Sequence, residues 1–186
     1  MKKLIIPSRF IHVDYNKDVL PFIKDCVDNF KITKKGLYLY GTAGTGKTHT
    51  AYAICKKLSE EGQEVVVFKS TEILRIIKEE INNHNQGTIF DSSGSFGKTY
   101  SSFLEGINDF KGLLFIDDFG TEKESEWVIE TFYSIIDKKY EDEIPVIITS
   151  NFKLDEINEK MGDRFASRIA QMCEIIPMVG GDRRLK

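Results

Sequence analysis

The chain has little of what staples small exported proteins: 186 residues contain three cysteines, four prolines and one tryptophan. Cys26, Cys55 and Cys173 are odd in number and far apart, and none stands in a Cys-x-x-Cys pair or beside a histidine at ligand spacing. A disulfide framework is therefore excluded, and a reduced, cytoplasmic protein is expected. No apolar run approaches the roughly 18–20 residues that cross a bilayer, so no membrane role is expected. Leu4, Ile5 and Ile6 are followed at once by Pro7, too short a stretch for a signal peptide. An excess of positive charge is missing too. Lys and Arg total 26 against 29 Asp and Glu, a net charge of -3, so contact with nucleic acid has to rest on a local patch.

What is present is ordinary for one globular domain, with 41% hydrophobic and 30% charged residues. Short β-branched or aromatic runs at Leu37–Tyr40, Glu64–Phe68, Leu113–Ile116, Val146–Thr149 and Cys173–Ile176 read as buried strands. Between them lie helical patterns from Lys47 to Glu61, from Thr71 to about Asn82, from Tyr100 to about Asp109 and from Glu124 to Tyr140, with a short helix from Asp163 to Ala170. In the fourth, Val128, Phe132, Ile135 and Ile136 share one face. Strands alternating with helices predict a parallel sheet covered on both faces. Residues 1–35, with a predicted helix from about Asp18 to Phe30, read as an N-terminal extension packed on a core formed by residues 36–186. Residues 83–99 are polar and turn-rich and read as a surface loop.

Gly41, Thr42, Ala43, Gly44, Thr45, Gly46, Lys47 and Thr48 match G-x-x-x-x-G-K-[ST] directly after the first strand and before a helix. Glycines let the backbone curl so that successive N–H groups face phosphate oxygens, and the helix N-terminus adds its dipole. Lys47 is placed to reach the β- and γ-phosphates, and Thr48 to ligate Mg²⁺. Gly97, Lys98 and Thr99 also spell G-K-T, but no strand precedes them, and they read as loop. The strand Leu113–Ile116 runs into Asp117 and Asp118 at the edge of a parallel sheet where nucleotides sit. Asp117 is expected to hold Mg²⁺, and Asp118 to orient or deprotonate an attacking water. Val146–Thr149 runs on through Ser150 to Asn151, whose amide can bond a γ-phosphate and that water. His49 can contact nucleotide or lie packed on its helix. Phe10 and Tyr15 can line an adenine pocket or pack the extension.

These residues resemble the AAA+ ATPases, and within them the DnaC/DnaI/IstB-like group of helicase loaders and transposition helpers. The likeness is carried by Gly41–His49 (GTAGTGKTH), Leu113–Gly120 (LLFIDDFG), Ile148–Asn151 (ITSN) and Gly162–Ile169 (GDRFASRI), and runs through most of residues 5–186. It implies a P-loop α/β fold with a five-stranded parallel sheet of order 5-1-4-3-2 between helices and no separate lid domain. It also implies ATP or ADP with Mg²⁺, and an ATP-dependent homo-oligomer in which one subunit completes its neighbour's site. On the same likeness Arg168 falls at the arginine-finger position and Arg184 at a sensor 2-like, nucleotide-binding position. Lys98, Tyr100 and Phe103 lie where related initiators and loaders insert a DNA-contacting helix, and can either supply charge and a stacking ring for weak single-stranded DNA binding or form an ordinary amphipathic helix. The function implied is a replication switch acting on a replicative helicase, with a transposase as the alternative partner. A small P-loop kinase is the rival of another class. It needs an arginine-rich lid, yet the long stretch between the second and third strands offers only Arg75.

Overall fold

The computed structural model describes residues 4–30, 34–85 and 102–181. The strands are β1 (Gly36–Tyr40), β2 (Val65–Lys69), β3 (Leu113–Phe119), β4 (Val146–Ser150) and β5 (Cys173–Pro177). They form one parallel sheet in the order β2-β3-β4-β1-β5, which is the 5-1-4-3-2 order implied above. The described helices are α1 (Tyr15–Asp18), α2 (Pro21–Asp28), α3 (Lys47–Glu60), α4 (Ser70–Asn85), α5 (Ser102–Asp109), α6 (Glu126–Glu141), α7 (Leu154–Met161) and α8 (Asp163–Met172). None is long and apolar enough to cross a membrane.

Most strand positions are apolar on both faces, polar residues gathering at the ends of β2, β3 and β4, because each face of the sheet has its own core. Tyr38, Leu114, Ile116, Val146 and Ile148 point into the core built with α4 to α8. Leu37, Leu39, Leu113, Phe115 and Ile147 point into the other, with α3 and with Val13, Val19, Ile23 and Val27 of the N-terminal segment. In the first core Phe119 stacks on Phe165 at 5.3 Å and meets Phe132 edge-on at 5.0 Å. Truncating such a ring to alanine costs about 3–5 kcal/mol.

Three expectations need correction. The helix expected from about Asp18 to Phe30 starts later, at Pro21 (α2): Asp18 instead ends the separate turn α1, which Asp14 caps through Asn16 N and Lys17 N, and the chain extends at Val19 and Leu20. Proline disfavours a helical residue before it and suits a helix start, which explains the break. Helix α7 was not expected at all. The predicted loop at 83–99 begins inside a helix, since α4 runs to Asn85, and its remainder lies outside the described residues, as do Lys98, Tyr100 and Arg184.

Lys139 of α6 is fully buried, and its Nζ donates to the carbonyls of Ile107 (2.7 Å), Asn108 (3.3 Å) and Phe110, closing the C-terminal end of α5. An ammonium there satisfies carbonyls that a helix end leaves open. Burial first, then the nearby Lys111 charge, pushes its pKa down to about 8. Lys139→Ala is expected to destabilise the fold by about 2–4 kcal/mol in urea melts, since it strands these carbonyls. The lowered pKa means the unfolded chain binds more protons between about pH 8 and the ordinary lysine range. The stability of the wild type relative to Lys139→Met is therefore expected to rise with pH across that window. A difference that stays flat or falls would contradict the assignment.

Candidate nucleotide site

The loop between β1 and α3 curls through glycines with positive φ, Gly44 at 83° and Gly46 at 95°, the latter at the N-cap of α3. At Gly41 a Cβ would stand 2.4 Å from the Met178 carbonyl, so only glycine lets β1 leave the sheet there. The loop is stapled from within and from the sheet. Thr45 Oγ1 donates to Thr42 O at 3.0 Å, and Gly41 N donates to Ser150 O at 3.2 Å. Lys47 is 7% exposed and spans the loop, its Nζ donating to Gly41 O at 2.6 Å and Thr42 O at 2.8 Å.

The end of β3 is a bulge. Ile116 pairs with Ile148 and Phe119 with Ser150, so Asp117 and Asp118 together stand opposite Thr149 alone. Asp118 takes up the extra residue with φ 62°, in the left-handed region that aspartate tolerates better than most side chains. Hydroxyls replace the lost ladder bonds. Thr149 Oγ1 accepts from Asp118 N at 3.0 Å, Ser150 Oγ donates to Phe119 O at 2.7 Å, and Ser70 Oγ donates to Asp118 O at 3.0 Å. Asp117 is buried, and its Oδ1 accepts from Thr48 Oγ1 at 2.8 Å and Thr149 Oγ1 at 2.7 Å. Asp118 is exposed, with its carboxylate free of the bulge's own bonds, and Asn151 is exposed one residue past β4.

Loop, bulge and strand end thus bring Lys47, Thr48, Asp117, Asp118 and Asn151 to one edge of the sheet. Sequence reasoning missed Thr149, Ser70 and Ser150. A hydroxyl closing an apolar strand was the available signal, but which strand it faces depends on sheet order. Among the described residues no cluster of three or more His, Cys, Asp and Glu side chains can hold a metal. Mg²⁺ needs no such cage: it takes oxygen ligands and shares its shell with water and phosphate. The touching Thr48 hydroxyl and Asp117 carboxylate are a donor set of that kind.

Other expected residues have partners in their own chain. His49 Nε2 stands 3.1 Å from Asp18 Oδ1, and Phe10 packs edge-on to His49 and stacks on Tyr52 at 4.5 Å. Tyr15 instead lines a cavity of about 480 Å³ along the later turns of α3, with Ala53, Lys56 and Glu60. Burial raises its hydroxyl pKa to about 12. Phe103 meets Phe68 edge-on at 5.2 Å and is partly buried against the core, as an ordinary amphipathic helix at that position would place it. Arg168 of α8 pairs through Nε with Asp137 of α6, and its guanidinium lies 4.8 Å from the Tyr133 ring and 5.6 Å from that of Tyr140.

Residues 26–186 match the family model described as IstB-like ATP binding protein. Among curated proteins, the chain is 26% identical over 129 residues to the replicative helicase loader DnaC of Escherichia coli K12, covering 69% of this chain and 47% of that one. It is 27% identical over 157 residues to the replicative helicase loader DnaI of Bacillus subtilis, covering 81% and 46%. The chain thus spans about half the length of these relatives. Among solved structures, a DnaC helicase loader superposes with a TM-score of 0.70 at 25% identity, covering 92% of this chain and 99% of that one.

Proposed function

The chain belongs to the IstB-like ATP-binding family of AAA+ P-loop proteins, and from that premise we propose that it is a Mg²⁺-dependent ATPase acting in the cytoplasm on a replicative helicase, as a DnaC/DnaI-like loader. The observation that carries the ATPase reading is the 2.8 Å bond from Thr48 Oγ1 to Asp117 Oδ1, which joins the phosphate loop to the acidic strand end. In this reading residues 1–35 pack as an extension on an ATPase core of residues 36–186. The loop N–H groups and Lys47 bind the phosphates, Lys47 exchanging its loop carbonyls for phosphate oxygens. Thr48 and Asp117 hold Mg²⁺, which when bound neutralises charge on the phosphates. Asp118 accepts the proton of a water that the Asn151 amide orients. Arg168 acts in the site of a neighbouring copy, and His49 and Arg184 lie beside the nucleotide. Weak, salt-sensitive binding of single-stranded DNA belongs to the same reading.

Asp118→Asn is the direct test. Asparagine also tolerates the left-handed backbone, so the bulge survives while the base is lost. ATP affinity is expected to stay within about threefold of wild type while turnover falls on the order of 10²–10³-fold. Unchanged turnover would move the general base elsewhere. The IstB-like family description supports a second reading in which the partner is a transposase. Co-purification with a tagged copy distinguishes helicase from transposase.

A further inference from the structure

The bulge at the end of β3 sets two acids against a single residue of β4, and the hydroxyl of that residue touches both. Thr149 is 1% exposed; its Oγ1 donates its one proton to Asp117 Oδ1 at 2.7 Å and accepts the Asp118 N–H at 3.0 Å. No other side-chain bond among the described residues links the Asp117 carboxylate to the Asp118 backbone. With Thr48 on the same oxygen, Asp117 Oδ1 receives two hydroxyl donors, which fixes the plane of the carboxylate. The bond to Asp118 N holds that residue in its left-handed turn, with its carboxylate exposed at the sheet edge.

We infer that Thr149 is the positioning residue of the site, setting Asp117 through its side chain and Asp118 through its backbone with one hydroxyl. Its β-branch restricts χ1, so the hydroxyl does not swing between the two acids and alternatives. The inference deepens the ATPase reading proposed above and rests on it. A valine has the same shape but neither donates nor accepts. It leaves the Asp118 N–H without its partner and Asp117 Oδ1 with Thr48 alone.

The test compares Thr149→Val and Thr149→Ser with wild type. In nucleotide-free Thr149→Val, hydrogen exchange at the Asp118 amide is expected to accelerate by about tenfold or more while that of Ile116 is unchanged. Turnover of MgATP is expected to fall about twentyfold or more, with ATP affinity in EDTA within about threefold. Thr149→Ser, which keeps the hydroxyl, is expected to restore both turnover and exchange to within about threefold of wild type. Unaltered Asp118 exchange, unaltered turnover, or a serine variant as slow as the valine variant would each overturn the inference. Should Thr149→Val fail to fold, Thr149→Ala against Thr149→Ser makes the same comparison. A wild type that hydrolyses no ATP would instead defeat the ATPase reading, and the exchange comparison, made without nucleotide, would still decide the placement of Thr149.

Discussion

Replacing Lys47 by alanine is expected to lower ATP affinity by about two to four orders of magnitude while leaving the fold intact. The magnitude follows from the charge. A hydrogen bond to an ionised partner is worth about 1.5–3 kcal/mol, and an ammonium spanning the loop has room for two of them, as its bonds to Gly41 O and Thr42 O show. Two such bonds lost from the bound state correspond to about 10²–10⁴ in affinity. The fold is expected to survive because the loop keeps its other staples, Thr45 Oγ1 to Thr42 O and Gly41 N to Ser150 O. Arginine does not substitute, since a planar fork needs a wider berth than a point charge at a site that is nearly buried. Calorimetric titration with ATP checks the expectation, and equal affinities for wild type and Lys47→Ala would remove the nucleotide site from this loop.

Much of this site was readable before folding because its parts are contiguous in sequence. The phosphate loop is eight consecutive residues bracketed by a strand and a helix, and the two acids are a pair closing an apolar run. What could not be read is what depends on register. Thr149 faces Asp117 and Asp118 only because β3 and β4 are neighbours and because β3 carries one residue more than β4 between Ile116 and Phe119. Neither fact is written in the periodicity of either strand. Lys139 stands three and four residues after Ile136 and Ile135, on the apolar face of α6, but nothing in the helix's own sequence shows that the α5 C-terminus will be there to receive its charge. Helix α7 is eight residues long, and apolar Leu154, Ile157 and Met161 give too few repeats to stand out from a loop. At Pro21 the error was of another kind: the apolar pattern continues through the proline, while the backbone does not.

Arg168→Ala is expected to reduce turnover of the assembled protein on the order of 10³-fold or more while leaving ATP affinity nearly unchanged. In the single chain its guanidinium is engaged by Asp137, by the Tyr133 and Tyr140 rings and by Arg164 O at 3.3 Å. The magnitudes decide whether that engagement forbids a role in a neighbour's site. A partly exposed ion pair contributes about 0–1 kcal/mol, and a cation–π contact there about as much. Stabilising a γ-phosphate in the transition state by 10³ to 10⁵ is worth about 4–7 kcal/mol. The local contacts are therefore too weak to forbid the role proposed for Arg168 in a neighbouring site. Specific activity is then expected to rise with protein concentration. Arg168→Ala subunits mixed with Lys47→Ala subunits are expected to regain activity, because each supplies the half of an interface that the other lacks. A purely structural Arg168 predicts something different: Asp137→Ala would lower turnover as much as Arg168→Ala does, since both break the same pair. If the two variants fall together, or if mixing restores nothing although sedimentation shows mixed assemblies, Arg168 serves only to tie α8 to α6.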